Sequence, residues 1–158
     1  MLNEFRQDLV SGEWVLFATG RTKRPDRAKE KPILQSKADC PFEDPEAHGN
    51  EILKTYDGTD DGWFAKVTKN KFPAVAENEA TPYRAVGPFS ITDAHGLHEL
   101  VILGDHERGL HQYSPEELGQ LLGIYQERFR VMAEYITSRY ILIFHNKGAT
   151  AGAALDHP

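Results

Sequence analysis

A long amphipathic helix with a clearly marked start constrains this chain more than any other feature of its sequence. Ser114-Pro115-Glu116-Glu117 supplies an N-cap hydroxyl, a proline at the first helical position and a glutamate at the third, which together form a capping box. The spacing predicts a helix from Pro115 to about Ser138, roughly 36 Å long at 1.5 Å per residue. Apolar residues recur every three or four positions along it and form one stripe that must pack on another layer, namely Leu118, Leu121, Leu122, Tyr125, Phe129, Met132 and Ile136.

Segments rich in β-branched and aromatic residues predict strands before and after this helix. Residues 14–18 and 63–67 follow turn signals, and residues 97–103 form a third candidate. Residues 140–145 begin with five residues that lack polar alternation, so we expect a central strand buried on both faces. We therefore predict a single α+β unit in which a mostly antiparallel sheet carries one long helix on a face.

The composition excludes several classes of protein. The 158 residues include 18 Lys+Arg and 24 Asp+Glu, a formal net charge of −6, which disfavours a general nucleic-acid binder. A single cysteine, Cys40, excludes an internal disulfide framework. No segment approaches the roughly 18 to 20 apolar residues of a membrane span, and the first residues lack the apolar core of a signal peptide. We expect a cytoplasmic protein that binds neither nucleic acid nor a membrane.

Four side chains have the chemistry of a zinc site. Cys40 and Glu43 are separated by two residues, as in a metal-binding knuckle, while His106 and His157 each follow an aspartate. A thiolate, a carboxylate and two imidazoles are all acceptable to Zn²⁺ and could complete a four-coordinate site. In the structural alternative, Cys40 is a small buried hydrophobic residue, Glu43 is solvated and His106 caps a turn.

A second group of polar residues could contact a phosphate or a nucleotide. Arg21 and Arg24 lie in a basic segment after the first predicted strand and could present guanidinium forks to a phosphate. Asn70 and Asn146 follow predicted strands, and the glycine- and alanine-rich tail after Asn146 would let a ligand approach the backbone. The structural alternatives are a solvated charged loop for the arginines and simple strand ends or turns for the asparagines.

Motifs spread along the whole chain occur in a characteristic order. They are Arg6-x-Asp8-x3-Gly12-x-Trp14-Val15, Arg21-x2-Arg24-Pro25, Cys40-Pro41-Phe42, Asn70-Lys71-Phe72-Pro73-Ala74, Gly96-x-His98-Glu99-x-Val101-Ile102, Asp105-His106 and Phe144-x-Asn146-Lys147-Gly148-x3-Gly152-Ala153-x3-His157-Pro158. In this order they resemble the N-terminal half of a galactose-1-phosphate uridylyltransferase, over essentially all 158 residues. That family belongs to the HIT-like superfamily, so the resemblance implies an α+β half-barrel of antiparallel strands with a helix.

The resemblance also implies a nucleotidyltransferase of galactose metabolism. In that family a histidine of an HPH-x-Q signature attacks the α-phosphorus of UDP-glucose. Galactose 1-phosphate then takes the UMP group from the uridylyl-histidine, which is a ping-pong scheme. The present sequence holds the first two residues of the signature, His157-Pro158. We therefore expect residues 1–158 to be an N-terminal HIT-like domain that ends just before the nucleophile and is inactive alone.

Individual roles follow from the same resemblance. Cys40, His106 and His157 match structural zinc ligands. Glu43 stands where bacterial relatives often have a second cysteine, and His48 on the same loop is an alternative fourth ligand. The matches to substrate-binding positions are Arg21 and Arg24 near the phosphates, with Asn70, Asn146 and Gly152 on the nucleotide side. Ala154 occupies a position where the family usually has a phosphate-binding serine, which indicates a divergent member or an altered specificity.

Other functions remain open at this point. The same scaffold could carry a related ADP-sugar or dinucleotide phosphorylase-type transferase, or it could be a non-catalytic half-domain that binds zinc and a nucleotide. One helix can cover only one face of the apolar segment 140–144, and the other face would need a partner. We therefore expect a homodimer.

Overall fold

The computed structural model describes residues 3–19, 37–59, 62–77, 81–135, 140–147, 151, 153 and 157. The chain divides into a first unit, Met1–Pro25 with Lys71–His98, and a second unit, Asp26–Asn70 with Glu99–Pro158. In chain order the elements are β1 (Glu4–Gln7), β2 (Trp14–Phe17), β3 (Ile52–Asp57), β4 (Trp63–Lys69), β5 (Arg84–Val86), β6 (Phe89–Asp93), β7 (Glu99–Leu103) and α1 (Pro115–Ala133). Short 3-10 turns lie at Lys37–Asp39 and Leu110–Gln112.

The first unit is built on a four-stranded antiparallel sheet with the order β2-β1-β6-β5. The β1–β2 hairpin turns tightly because Asp8 Oδ1 accepts hydrogen bonds from the N–H groups of Val10 and Ser11. Gly12 closes this turn with a φ of 74°, a conformation that favours glycine. Local turn chemistry therefore fixes the pairing of the first two strands.

The second unit has a three-stranded antiparallel sheet, β3-β4-β7, with α1 packed on one face. Ala65 and Val67 on β4 are fully buried on that face. Their buried partners in the core are Leu103, Tyr113, Leu121 and Ile124. Because side chains alternate across a strand, Lys66 and Thr68 lie on the opposite face of the sheet.

The opposite face is covered by the loop before β3. Thr68, Ile102 and Pro45 are all fully buried. Lys66 Nζ donates a hydrogen bond of 2.7 Å to Glu46, which holds this loop against β4. The loop that carries Cys40 and Glu43 is therefore fastened to the sheet rather than extended into solvent.

Helix α1 begins where the capping box predicts. The N–H of Glu117 donates to Ser114 Oγ, while the Glu117 carboxylate accepts the N–H of Ser114. Arg108 donates to both carboxylate oxygens of Glu117 at 2.8 and 2.7 Å. These bonds, the one from Arg108 above all, lower the pKa of Glu117 to about 2. The helix ends at Ala133, short of the predicted Ser138, which lies outside the described residues.

Only part of the predicted apolar stripe faces the core. Leu121 is buried, whereas Leu122 is 65% exposed and Phe129 is 47% exposed. Ile124, which the predicted stripe did not include, is buried as well. Successive residues of a helix point about 100° apart, so Leu121 and Leu122 cannot both face the sheet. The stripe is therefore wider than the single surface that covers it.

The prediction of a buried central strand at residues 140–145 was wrong. Residues 140–147 lie outside both sheets, and Tyr140 is 82% exposed, Leu142 63% and Phe144 61%. The apolar composition indicates that these residues favour burial, but a strand also needs a partner edge that offers backbone hydrogen bonds. Composition alone does not identify that edge.

The α+β class, the antiparallel strands and the long helix are confirmed. The strands predicted at residues 14–18, 63–67 and 97–103 correspond to β2, β4 and β7. The prediction of one sheet was wrong, since the strands among the described residues form two sheets. Within the described residues, no helix combines the length and the apolar character that crossing a bilayer requires.

Candidate metal centre

The first two predicted ligands lie on a tight turn of the loop that covers the sheet. The N–H of Cys40 donates to the carbonyl of Lys37 at 3.2 Å, and the N–H of Glu43 donates to the carbonyl of Cys40 at 3.1 Å. The two side chains are thus brought to the same side of the turn. Burial raises the pKa of the Cys40 thiol, while the N–H groups of Phe42 and Glu43 act in the opposite direction and favour the thiolate.

The third predicted ligand, His106, follows the end of β7. Gly104 donates to the carbonyl of Phe64 at 2.8 Å. A Cβ at Gly104 would collide with the carbonyl oxygen of Trp63, so the close approach requires glycine. Asp105 Oδ1 then accepts the N–H groups of Glu107 and Arg108. This side-chain turn reverses the chain and directs His106 inward.

The predicted ligands converge on one point in the second unit. One ligand atom from each of Cys40, His106 and His157 lies within 4.8 Å of the others. Glu43 Oε1 is 3.1 Å from His106 Nδ1 and 3.8 Å from His157 Nε2. The two imidazole side chains are 9% and 0% exposed, respectively. Their rings meet edge to face at a centroid distance of 5.0 Å.

The donor set fits a metal ion. Glu43 Oε1 and His106 Nδ1 are both buried, and neither makes a hydrogen bond among the described residues. A buried carboxylate oxygen that accepts no hydrogen bond is costly, because its desolvation is not compensated. A cation bound by both atoms would remove this cost. The second oxygen of Glu43, Oε2, lies 3.8 Å from Lys37 Nζ. One carboxylate oxygen of Glu43 therefore faces the two histidines and the other faces Lys37.

Two of the predicted substrate-binding residues, Asn70 and Asn146, are described by the structure, and both lie away from this cluster. Asn70 directly follows β4 and is half-buried, while Asn146 lies in the exposed segment 140–147. The remaining predicted positions fall outside the described residues: Arg21, Arg24, Gly152 and Ala154. The structure therefore brings together the four predicted metal ligands, and neither asparagine belongs to that cluster.

Two supporting residues were missed by sequence reasoning. Phe42 meets the His157 ring edge to face at 5.5 Å and forms part of the wall of the cluster. Asp105 orders the turn at His106 through its backbone contacts. The signal for Asp105 was available, since an aspartate followed by polar residues after a strand is typical of such turns. Nothing in the sequence pairs Phe42 with His157.

The comparison of sequences decides the family. A family model described as "Galactose-1-phosphate uridyl transferase, N-terminal domain" matches residues 1–158, the whole chain. The chain belongs to the galactose-1-phosphate uridyl transferase family. The resemblance expected from the motifs is thereby confirmed, together with the antiparallel α+β fold of the family's N-terminal domain.

Proteins that are similar to this member of the galactose-1-phosphate uridyl transferase family carry different names. An ADP-glucose phosphorylase from Arabidopsis thaliana is 31% identical over 163 residues, which cover 98% of this chain and 46% of that protein. A galactose-1-phosphate uridylyltransferase from Thermotoga maritima is 26% identical over 157 residues, which cover 98% of this chain and 44% of that protein. A crystal structure of an Arabidopsis thaliana ADP-glucose phosphorylase with bound ADP-glucose matches with a TM-score of 0.61 at 28% identity, over 98% of this chain and 46% of that one. The chain thus spans less than half the length of these relatives.

Proposed function

We propose that this chain is part of a nucleotidyltransferase of galactose metabolism that transfers UMP between UDP-glucose and galactose 1-phosphate. The family match over the entire chain carries this proposal. In the proposed reaction a histidine attacks the α-phosphorus of UDP-glucose, and the bond to the glucose 1-phosphate oxygen breaks. A phosphate oxygen of galactose 1-phosphate then attacks the uridylyl-histidine, which yields UDP-galactose and restores the histidine.

The proposed metal is one zinc ion bound by Cys40, Glu43, His106 and His157. A thiolate, a carboxylate and two imidazoles suit the tetrahedral coordination that Zn²⁺ prefers. With four protein ligands, such a site supplies structural crosslinking rather than an open coordination position for substrate. Glu43 is favoured over His48 as the fourth ligand, because His48 Nδ1 contacts the Asp44 carbonyl at 2.9 Å in an exposed turn.

The proposed substrate contacts are those that match the family motifs. The two guanidinium groups of Arg21 and Arg24 would bind substrate phosphates in the bidentate geometry that favours arginine at such sites. The nucleotide side would be bound by Asn70, Asn146 and Gly152. The position of Ala154 would lack a hydroxyl donor to the phosphoryl group, which can be worth about 10² to 10³ in rate.

A second candidate function is supported by a specific observation. The relative with 31% identity is named an ADP-glucose phosphorylase. In this alternative the nucleotide base is adenine, and inorganic phosphate takes the place of galactose 1-phosphate as the acceptor of the nucleotidyl group. The two functions differ in base recognition, so nucleotide binding separates them.

Nucleotide-sugar binding by the 158-residue chain provides the test. We expect UDP-glucose to raise the melting temperature more than ADP-glucose at equal concentration, because bound ligand stabilises the folded state by mass action. Arg24→Gln should weaken the shift with both ligands. Lys54→Gln, which alters an exposed lysine paired with Glu127, serves as the control and should leave both shifts unchanged.

Two outcomes would change the proposed function. A larger shift with ADP-glucose would support the phosphorylase alternative. The absence of any shift with either nucleotide sugar would overturn a nucleotide-binding role for this chain.

We also propose that the protein forms a homodimer. Leu122 and Phe129 on α1 and the apolar segment 140–144 leave large hydrophobic side chains exposed. Leu122→Glu combined with Phe129→Glu should shift sedimentation towards the monomer if α1 lies in the interface. Glu134→Gln, at the C-cap residue directly after α1, provides a control. A wild-type protein that sediments as a stable monomer at micromolar concentration would exclude the dimer.

A further inference from the structure

Two sequence motifs whose roles the proposed reaction does not explain meet in the first unit. One is the segment Lys71–Ala74, which directly follows Asn70 in the sequence, and the other is the Gly96-x-His98 turn. The N–H of Ala74 donates a hydrogen bond of 2.9 Å to His98 Nδ1. The Pro73–Ala74 backbone is thus bound by a side chain from a distant part of the chain.

Asn3 binds the same stretch of backbone through its amide group. Its Nδ2 donates to the carbonyl of Pro73 at 3.1 Å and to the carbonyl of Ala74 at 2.9 Å. Together, Asn3 and His98 satisfy both the donor and the acceptor of Ala74, which is itself only 8% exposed. We call this arrangement of Asn3, His98 and Ala74 the backbone clamp.

The chain reaches this arrangement through a glycine. Gly96 has a φ of 152°, and a Cβ there would lie 3.3 Å from Val75 Cγ2. The N–H of Gly96 donates to the carbonyl of Ala76 at 3.0 Å, and Ala76 in turn donates to the carbonyl of Ala94 at 3.1 Å. The Gly96 turn therefore lies directly against the strand-like segment after Ala74 and delivers His98 two residues later.

The clamp also fixes the chemical state of the imidazole. A backbone N–H can only donate, so His98 Nδ1 must be deprotonated to accept from Ala74. In the neutral ring the proton is therefore on Nε2. A side chain that offers no acceptor at the position of Nδ1 would leave the nearly buried N–H of Ala74 without its partner.

We propose that His98 and Asn3 are positioning residues that hold the backbone of Lys71–Ala74 so that this segment is preorganised for the nucleotide sugar. The inference rests on the proposed function, in which Asn70, immediately before the segment, contacts the nucleotide. A clamped backbone lowers the ordering cost of ligand binding, because the segment is already fixed before the ligand arrives. The role is indirect, since both side chains act through the backbone of Pro73 and Ala74.

A pair of substitutions at His98 separates positioning from simple packing. His98→Asn keeps an acceptor, Oδ1, close to the place of Nδ1, whereas His98→Leu fills similar space without one. Each variant of the 158-residue chain is examined by hydrogen exchange of the Ala74 amide and by the Kd for UDP-glucose and ADP-glucose. Asn3→Asp, whose carboxylate cannot donate to the two carbonyls when ionised, tests the other half of the clamp.

We expect His98→Leu to speed exchange of the Ala74 amide and to weaken binding of the preferred nucleotide sugar by roughly three- to ten-fold, the range for loss of one hydrogen bond. His98→Asn should restore both values to near those of the wild type. Asn3→Asp should behave like His98→Leu. The rescue by asparagine is the decisive readout, because a purely packing role would favour leucine.

The proposal is overturned if His98→Leu leaves both the Ala74 exchange rate and the Kd unchanged, or if asparagine fails to rescue while the variant remains folded. Faster exchange with an unchanged Kd would also overturn it, since the clamp would then exist without acting on the ligand. Failure of the proposed function has a different signature. In that case the wild-type protein binds neither nucleotide sugar, while the exchange of the Ala74 amide still reports whether His98 and Asn3 hold the backbone.

Discussion

Cys40→Ser should remove most of the zinc proposed for this cluster and cause a large loss of stability in the second unit. The thiolate is the strongest zinc ligand of the cluster, and serine does not provide an equivalent donor. Structural zinc contributes on the order of 10 kcal/mol of apparent binding energy in small zinc domains, far more than the ~1 kcal/mol of a single hydrogen bond. Elemental analysis of the purified protein should give one zinc per wild-type chain, and thermal unfolding should occur at a lower temperature after treatment with a chelator.

Matched variants of Glu43 and His48 test which of the two residues is the fourth zinc ligand. Glu43→Gln should weaken zinc binding less than Cys40→Ser does, because water can replace a carboxylate in the coordination sphere. His48→Gln should have no effect on zinc content if Glu43 is the fourth ligand. Loss of zinc in His48→Gln with retention in Glu43→Gln would reverse that assignment. The proposed zinc site would be contradicted if the purified wild-type protein contained no transition metal and its thermal unfolding did not change after treatment with a chelator.

The ion pair between Glu99 and Arg128 should produce the next largest effect. Arg128 Nε and Nη2 donate to the two carboxylate oxygens of Glu99 at 2.9 and 2.7 Å, and the side chains are only 14% and 9% exposed. Arg128→Met leaves the Glu99 carboxylate buried without its partner. Removal of one partner from a buried pair typically costs about 3 to 5 kcal/mol. Urea unfolding should therefore give a much lower free energy of unfolding for this variant.

Two comparisons distinguish a buried pair from an ordinary surface contact. The double variant Glu99→Gln with Arg128→Met should recover much of the lost stability, because no unpaired charge remains in the interior. Lys54→Met breaks the more exposed pair with Glu127 on the same helix and should cost less than about 1 kcal/mol. Equal losses for Arg128→Met and Lys54→Met would contradict the burial argument.

Local signals in the sequence predicted the elements that depend on local chemistry. The capping box at Ser114–Glu117 fixed the start of α1, because the hydrogen bonds involved join residues three positions apart. The strands β2, β4 and β7 were predicted by their β-branched and aromatic residues. The candidate metal cluster was proposed because thiolate, carboxylate and imidazole are a restricted set of ligand types. In the structure, Glu43 lies beside the group formed by Cys40, His106 and His157.

Features that depend on distant pairing were not predictable in the same way. The division of the strands into two sheets depends on which edges meet, and the same residue pattern fits several pairings. Residues 140–145 are an example: their apolar side chains indicated burial, but their sequence does not identify a strand with which they would pair. The contact of His98 with Ala74 is also invisible in the sequence, because the two residues lie in separate motifs and their hydrogen bond involves a backbone group.

The arrangement of the metal cluster has a consequence for how the second unit reaches its native state. The donors come from three segments: Cys40 with Glu43, then His106, which is 66 residues after Cys40, and His157, which is 51 residues after His106. A contact set of such high sequence separation forms slowly, since the entropy of closing long loops opposes it until the sheet and the helix bring the segments together. The four donors are therefore complete only once most of the second unit is in place. Metal binding by this cluster would therefore be a late event in refolding. Its onset would show that the native arrangement of the second unit had formed.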